Sequence, residues 1–163
     1  MGRLPSLRDV GRALVLAGWV ASSGAAWAGP PVPPTRPDRA VLVKTASGPE
    51  IFHLLQGGEP LSFRFEEAGP ATVVARRRLP AATITPPPVP VEVLGDGERF
   101  LVMRVGQAHD PAATIHDAGG GAPSAPDVAR VDVPEGGRTL TFRLEPGAPE
   151  VFVRVEVGAP PAR

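Results

Sequence analysis

The sequence contains no cysteine, no tyrosine and no asparagine, and Lys44 is its only lysine. Without cysteine there can be no disulfide framework, no thiolate zinc site, no cysteine nucleophile and no acylated lipobox residue. Without asparagine there is no N-glycosylation acceptor. Aromatic residues make up 5% of the chain, and both tryptophans, Trp19 and Trp27, lie in its first 28 residues. The rest of the chain therefore has no Trp or Tyr ring to serve as a stacking platform for sugars, a role that needs an apolar face with a polar edge. No Gly-x-Ser-x-Gly elbow and no His-Glu-x-x-His pattern occurs. Beyond residue 28 the serines are Ser47, Ser62 and Ser124, none next to a histidine. Glu66 and Glu67 are neighbours on an expected strand and point to opposite faces, which spoils them as a carboxylate pair for glycoside cleavage. The reading is a non-catalytic chain without a cofactor.

What is plentiful is equally informative. The 163 residues fit one domain, with 19 glycines, 22 prolines and a hydrophobic fraction of 42% that can still supply a core. The Arg, Ala, Gly, Pro and Val bias suggests a GC-rich bacterial genome. Arg3, Arg8 and Arg12 precede a short apolar run over Ala13–Ala21, and Ala26-Trp27-Ala28 presents small residues two apart. That is the pattern of an export signal cleaved before Gly29, and the run is too short for a bilayer span, which takes roughly 20 residues. Residues 1–28 are read as this signal, 29–39 as a polyproline spacer, 40–158 as the folded domain and 159–163 as a disordered tail. Cleavage would remove three arginines and one aspartate from a balance of 17 basic and 17 acidic residues, leaving a net charge of −2. Such a balance argues against a nucleic-acid partner. No second hydrophobic segment follows, so no membrane span is expected after cleavage. The expected address is periplasmic or extracellular.

Within the domain, apolar residues alternate with polar ones. Arg130–Val133, Thr139–Leu144 and Val151–Val157 all show a period of two, which puts each apolar set on one face of a sheet, where a helix would need about 3.6. Pro134-Glu135-Gly136-Gly137 and Pro146-Gly147-Ala148-Pro149 separate these runs, giving an expected three-stranded β-meander. Earlier strands are expected at Val41–Val43, Leu61–Phe65, Ala71–Leu79 and Val89–Leu94. Ile51–Leu55 is either a strand or a helical turn. Gly95-Asp96-Gly97-Glu98 is a hairpin turn leading into Phe100–Val105, whose continuous apolar run predicts burial on both faces. Thr114–His116 is a short edge strand, and Asp117–Asp127, with three consecutive glycines, a flexible loop. Eight or nine short strands and no helix predict an all-β antiparallel sandwich, immunoglobulin-like or jelly-roll-like, with residues 40–80 and 89–157 forming its two sheets.

Candidate binding residues follow from this layout. Arg76-Arg77-Arg78 form a basic strand segment, with the middle guanidinium aimed away from the other two. It reads as an exposed edge protected by charge, or as a route for strand addition by a partner. Phe152 faces away from the valine stripe beside Arg154, either to contact a partner or to lie under a loop or second layer. His109-Asp110 and His116-Asp117 repeat a His-Asp pair that could hold zinc, although Pro111 and the odd spacing aim the imidazoles apart. The function read from the sequence is an exported interaction module of the bacterial cell envelope, with an envelope protein as partner. The alternative is a glycan- or metal-binding module.

Overall fold

The computed structural model describes residues 29–36, 39–80, 85–117 and 119–158. The expected leader, 1–28, and tail, 159–163, lie outside the described residues. Among those described, all regular structure is β: β1 (Ala40–Thr45), β2 (Gly48–Leu55), β3 (Leu61–Phe65), β4 (Gly69–Leu79), β5 (Val89–Gly95), β6 (Glu98–Val105), β7 (Thr114–His116), β8 (Ala122–Pro123), β9 (Asp127–Val133), β10 (Arg138–Arg143) and β11 (Val151–Val157). They form two antiparallel sheets. The larger runs β7-β1-β2-β11-β4, and the far edge of β4 is shared by β9 and the two-residue β8. The smaller runs β3-β10-β5-β6.

The alternation assigned faces correctly, and between the sheets the inward residues make the main core. Phe63 and Phe142 meet there edge to face at 5.6 Å, with Val73, Val91, Val131, Leu140 and Val153 packed around them. Such pairs add to the area they bury. The hairpin at Gly95–Glu98 also forms: Asp96 and Gly97 both take positive φ, 52° and 90°, as a tight two-residue β-turn requires.

Pairing departs from the sequence reading in three places. The expected meander does not exist, because β9 pairs with β4, β10 with β3 and β5, and β11 with β2 and β4. Pro134–Gly137 is thus an arch between sheets and not a hairpin turn. Gly137, at φ 81°, passes so close to β3 that a Cβ would lie 2.2 Å from the Phe65 carbonyl oxygen. In consequence the two sheets interleave residues from both halves of the chain, and β3 sits with β5, β6 and β10. Nor is β6 buried on both faces. Among the described residues it is an edge strand paired only with β5, and Phe100 and Val102 are 42% and 44% exposed.

The strand buried on both sides is β4, together with its neighbour β11. Their outward faces belong to a second cluster of Val41, Val43, Phe52, Leu54, Val74 and Phe152, which Ala113 and Ile115 help to close. Both covering residues belong to the stretch that precedes Asp117, Ile115 on β7 and Ala113 just before it. Next to them, described residues of the expected flexible loop Asp117–Asp127 are fastened down, by β8 on β4 and by Arg78 bonds to Asp117 and Gly120.

Candidate functional site

Alternation along β4 sends Arg76 and Arg78 to the outward face of the larger sheet and Arg77 to the opposite side, as the strand period demands. The register Phe152↔Arg76 and Arg154↔Val74 adds Phe152 and Arg154 to the same face. The fold therefore gathers Arg76, Arg78, Phe152 and Arg154, but with Arg76 and Phe152 buried and Arg78 and Arg154 half-buried. Arg76 Nη1 donates to Asp110 Oδ2 at 2.7 Å and to the Ser124 carbonyl at 2.9 Å. Arg78 forks onto both carboxylate oxygens of Asp117, donates to the Gly120 carbonyl, and reaches Glu150 at 3.3 Å. Hydrogen bonding from Arg78 holds the Asp117 carboxyl below the usual carboxylate range, and the same pairing raises the pKa of the guanidinium. Phe152 is fully buried, with the Arg78 guanidinium 5.3 Å above its ring. Arg77 donates to the Pro87 carbonyl at 2.7 Å, and burial lowers its pKa.

Arg154 lies between two carboxylates, 2.5 Å from Glu156 Oε1 and 3.7 Å from Glu50 Oε2. Glu156 is 1% exposed, and burial pushes its carboxyl upward against the pull of Arg154. The Arg76 and Arg78 contacts pin the second layer to the sheet, whereas Arg154 joins β11 to β2 within it. They do not present a free face or a free edge: β4 has β11 on one side and β8 and β9 on the other, so strand addition at Arg76–Arg78 has no open ladder.

The two His-Asp pairs separate in the same way. Asp110 and Asp117 are taken up by Arg76 and Arg78, His116 sits on β7 beside Thr114, and His109 bridges to Ser124. Among the described residues, no three of His, Cys, Asp and Glu come close enough together to hold a metal ion.

The open feature lies on the other sheet. Leu61, Phe63 and Phe65 point inward from β3, so Ser62 points out; Leu140 and Phe142 do the same on β10, so Thr139, Thr141 and Arg143 point out. Register pairs Ser62 with Thr141, and their hydroxyls meet at 2.8 Å. Beside them lie Thr35 and Arg39 of the proline-rich spacer. Thr35 N–H donates to the Ser62 carbonyl at 2.8 Å, tying Thr35 to the smaller sheet, and the Arg39 carbonyl accepts from Leu54 N–H at 2.9 Å, tying Arg39 to the larger. An open cleft of about 800 Å³ lies there, lined by these hydroxyls, by Arg36, Arg39 and Arg143, and by Gln56, Glu59, Pro60, Leu54 and Leu61. That volume is within the range of small-molecule sites. Among the described residues, none of the three arginines forms an ion pair. The field of Arg39 does reach Asp117.

Sequence reasoning missed this cleft because it used the alternation of β3 and β10 only for its apolar half. The polar half, Thr139-x-Thr141-x-Arg143, was visible, but its meeting with Ser62 depends on a pairing of strands 79 residues apart.

No family model matches the sequence, and no curated protein does. Among solved structures, the chain is similar to a family 35 carbohydrate binding module from Clostridium thermocellum, at 15% identity and a TM-score of 0.43, over 80% of this chain and 90% of that one. It is also similar to a family 35 carbohydrate binding module from an environmental isolate, at 12% identity and 0.43, over 83% and 94%. The catalytic unit of a thermostable GH87 alpha-1,3-glucanase from Streptomyces thermodiastaticus strain HF3-3 aligns at 17% identity and 0.42, over 85% of this chain and 26% of that one. Likenesses at these identities, with TM-scores below 0.5, carry no inference about ligand or chemistry. The sandwich rests on the chain's own two sheets, packed around one shared core.

Proposed function

We propose that the chain is an exported β-sandwich without catalytic activity, which works by binding another component of the bacterial cell envelope through the cleft over β3 and β10. The carrying observation is the cleft itself: three arginines without ion-pair partners among the described residues, above a floor of serine and threonine hydroxyls. Guanidinium groups without a close ion-pair partner in a concave site are poised to receive carboxylate or phosphate oxygens. Among the described residues, the lining supplies one carboxylate, Glu59, and no imidazole, and the Ser62 hydroxyl is engaged with Thr141. This supports a binding role, since acid–base or nucleophilic chemistry calls for a second carboxylate or a base within hydrogen-bond reach. The periplasmic or extracellular address rests on the leader-like pattern of residues 1–28.

The test is in-cell cross-linking of a C-terminally tagged chain, followed by mass spectrometry of the envelope fraction. The tagged chain is expected there, joined to one component through residues around the cleft. Recovery in the cytoplasm, or no captured component, contradicts the proposal.

A further inference from the structure

The cleft offers hydroxyls, guanidinium groups and one amide, but no aromatic platform. Ser62, Thr139 and Thr141 present their side chains from two adjacent strands, and Arg143 continues the same outward row on β10. An extended peptide would gain its affinity chiefly from main-chain pairing with a free strand edge. The edge of β3 next to the cleft is already occupied, by Thr35 bonded to Ser62 and by the Pro34↔Phe63 bridge. A neutral sugar would gain it chiefly by stacking on Trp or Tyr, and neither residue type occurs beyond Trp27. What remains is a ligand rich in hydroxyls that also carries negative charge.

We infer that the cleft binds an acidic polysaccharide, with Arg143, Arg36 and Arg39 receiving carboxylate groups and the serine and threonine hydroxyls receiving sugar hydroxyls. This rests on the binding role proposed above and names its ligand class. The guanidinium fork matches a carboxylate with two parallel hydrogen bonds, which a lysine cannot reproduce. Glu59 sets a limit on how many carboxylates the cleft takes, because its own charge opposes a ligand anion placed against it.

The test is affinity electrophoresis of the full chain in gels containing polygalacturonate, dextran or polyglutamate, with Arg143→Gln and Arg143→Lys as variants. Circular dichroism melting of each variant confirms folding; Arg143 is exposed, so both are expected to fold. Retardation by polygalacturonate is expected, weakened by salt and reduced about tenfold or more in Arg143→Gln. Arg143→Lys is expected to lie between wild type and Arg143→Gln. Dextran and polyglutamate are expected to retard the chain little. Equal retardation by polyglutamate would mean that charge alone is read, and overturns the saccharide class. Equal retardation by dextran, indifferent to Arg143→Gln, overturns the role of charge. No retardation by any polymer overturns the inference. The binding proposal then survives if the envelope cross-link persists, and falls with it if that is also absent.

Discussion

Arg76 and Arg78 show how one residue type in one strand can be read wrongly from sequence. Consecutive arginines resemble a solvated edge, yet here each outward guanidinium is matched to an aspartate, Asp110 or Asp117, on either side of β7. The seven-residue repeat of His-Asp was visible as a pattern. Its partners were not, because the arginines precede it by more than thirty residues and only the fold brings them together. The arrangement has a measurable cost when broken. Arg76→Ala leaves Asp110 without its guanidinium and the Ser124 carbonyl without its donor, so a loss of about 3 kcal/mol or more is expected by urea unfolding. A loss below about 1 kcal/mol, the usual size for an exposed pair, would show that the pair is not closed off from water.

Two carboxyls should leave opposite marks on the pH dependence of stability. Asp117 is held below its ordinary value, so its contribution is complete above the unfolded pKa and is lost as pH falls through the folded one. Glu156 is raised by burial, so the folded chain keeps a proton that the unfolded chain releases. Its effect is a decline in stability as pH rises from the ordinary glutamate value, about 4.3, toward the raised folded value. Glu156→Gln is expected to abolish that decline and to leave the loss at low pH. Urea midpoints measured across this range decide it; an unchanged decline in the variant would show that Glu156 is not its source.

At the scale of elements, faces were legible and neighbours were not. A period of two says which side chains share a side, and Val131, Leu140 and Val153 do line one core. It is silent on which strand lies alongside, since an arch and a hairpin both preserve the alternation. The sequence Pro-Glu-Gly-Gly between β9 and β10 suits either. The difference lies in contact: Gly136 has open space where a Cβ would go, whereas Gly137 presses on the Phe65 carbonyl of another strand. Gly136→Ala is therefore expected to cost about 1–2 kcal/mol, from its positive φ alone. Gly137→Ala must also displace β3, and the total should approach about 4 kcal/mol. Thermal or urea unfolding separates the two; equal losses would indicate a simple hairpin turn without close passage between sheets.

The apolar run of β6 carried a similar ambiguity. Continuous hydrophobicity fits a strand covered on both faces, and it also fits an edge strand with Phe100 and Val102 half in solvent. Doubly covered β4 instead contains three arginines, a composition that reads as surface until the covering segment is in place. The polar floor of the cleft was hidden for the same reason: Ser62 and Thr141 are ordinary outward residues until their strands pair.

For the whole molecule, the two faces of the sandwich differ in availability. The outward face of the larger sheet is closed by Ala113 and Ile115 and by the aspartates that pair with Arg76 and Arg78, with its charges paired among themselves. Beside the smaller sheet lies an open cleft whose arginines have no ion-pair partner among the described residues. The proposed binding role is assigned to the cleft on this contrast. The most direct measurement is site-specific photo-cross-linking in cells, with the reactive side chain placed at Thr139 in the cleft or at Val128 on β9. Capture of an envelope component from Thr139, and none from Val128, is the predicted result. Capture from Val128 alone, or from neither position, would contradict it.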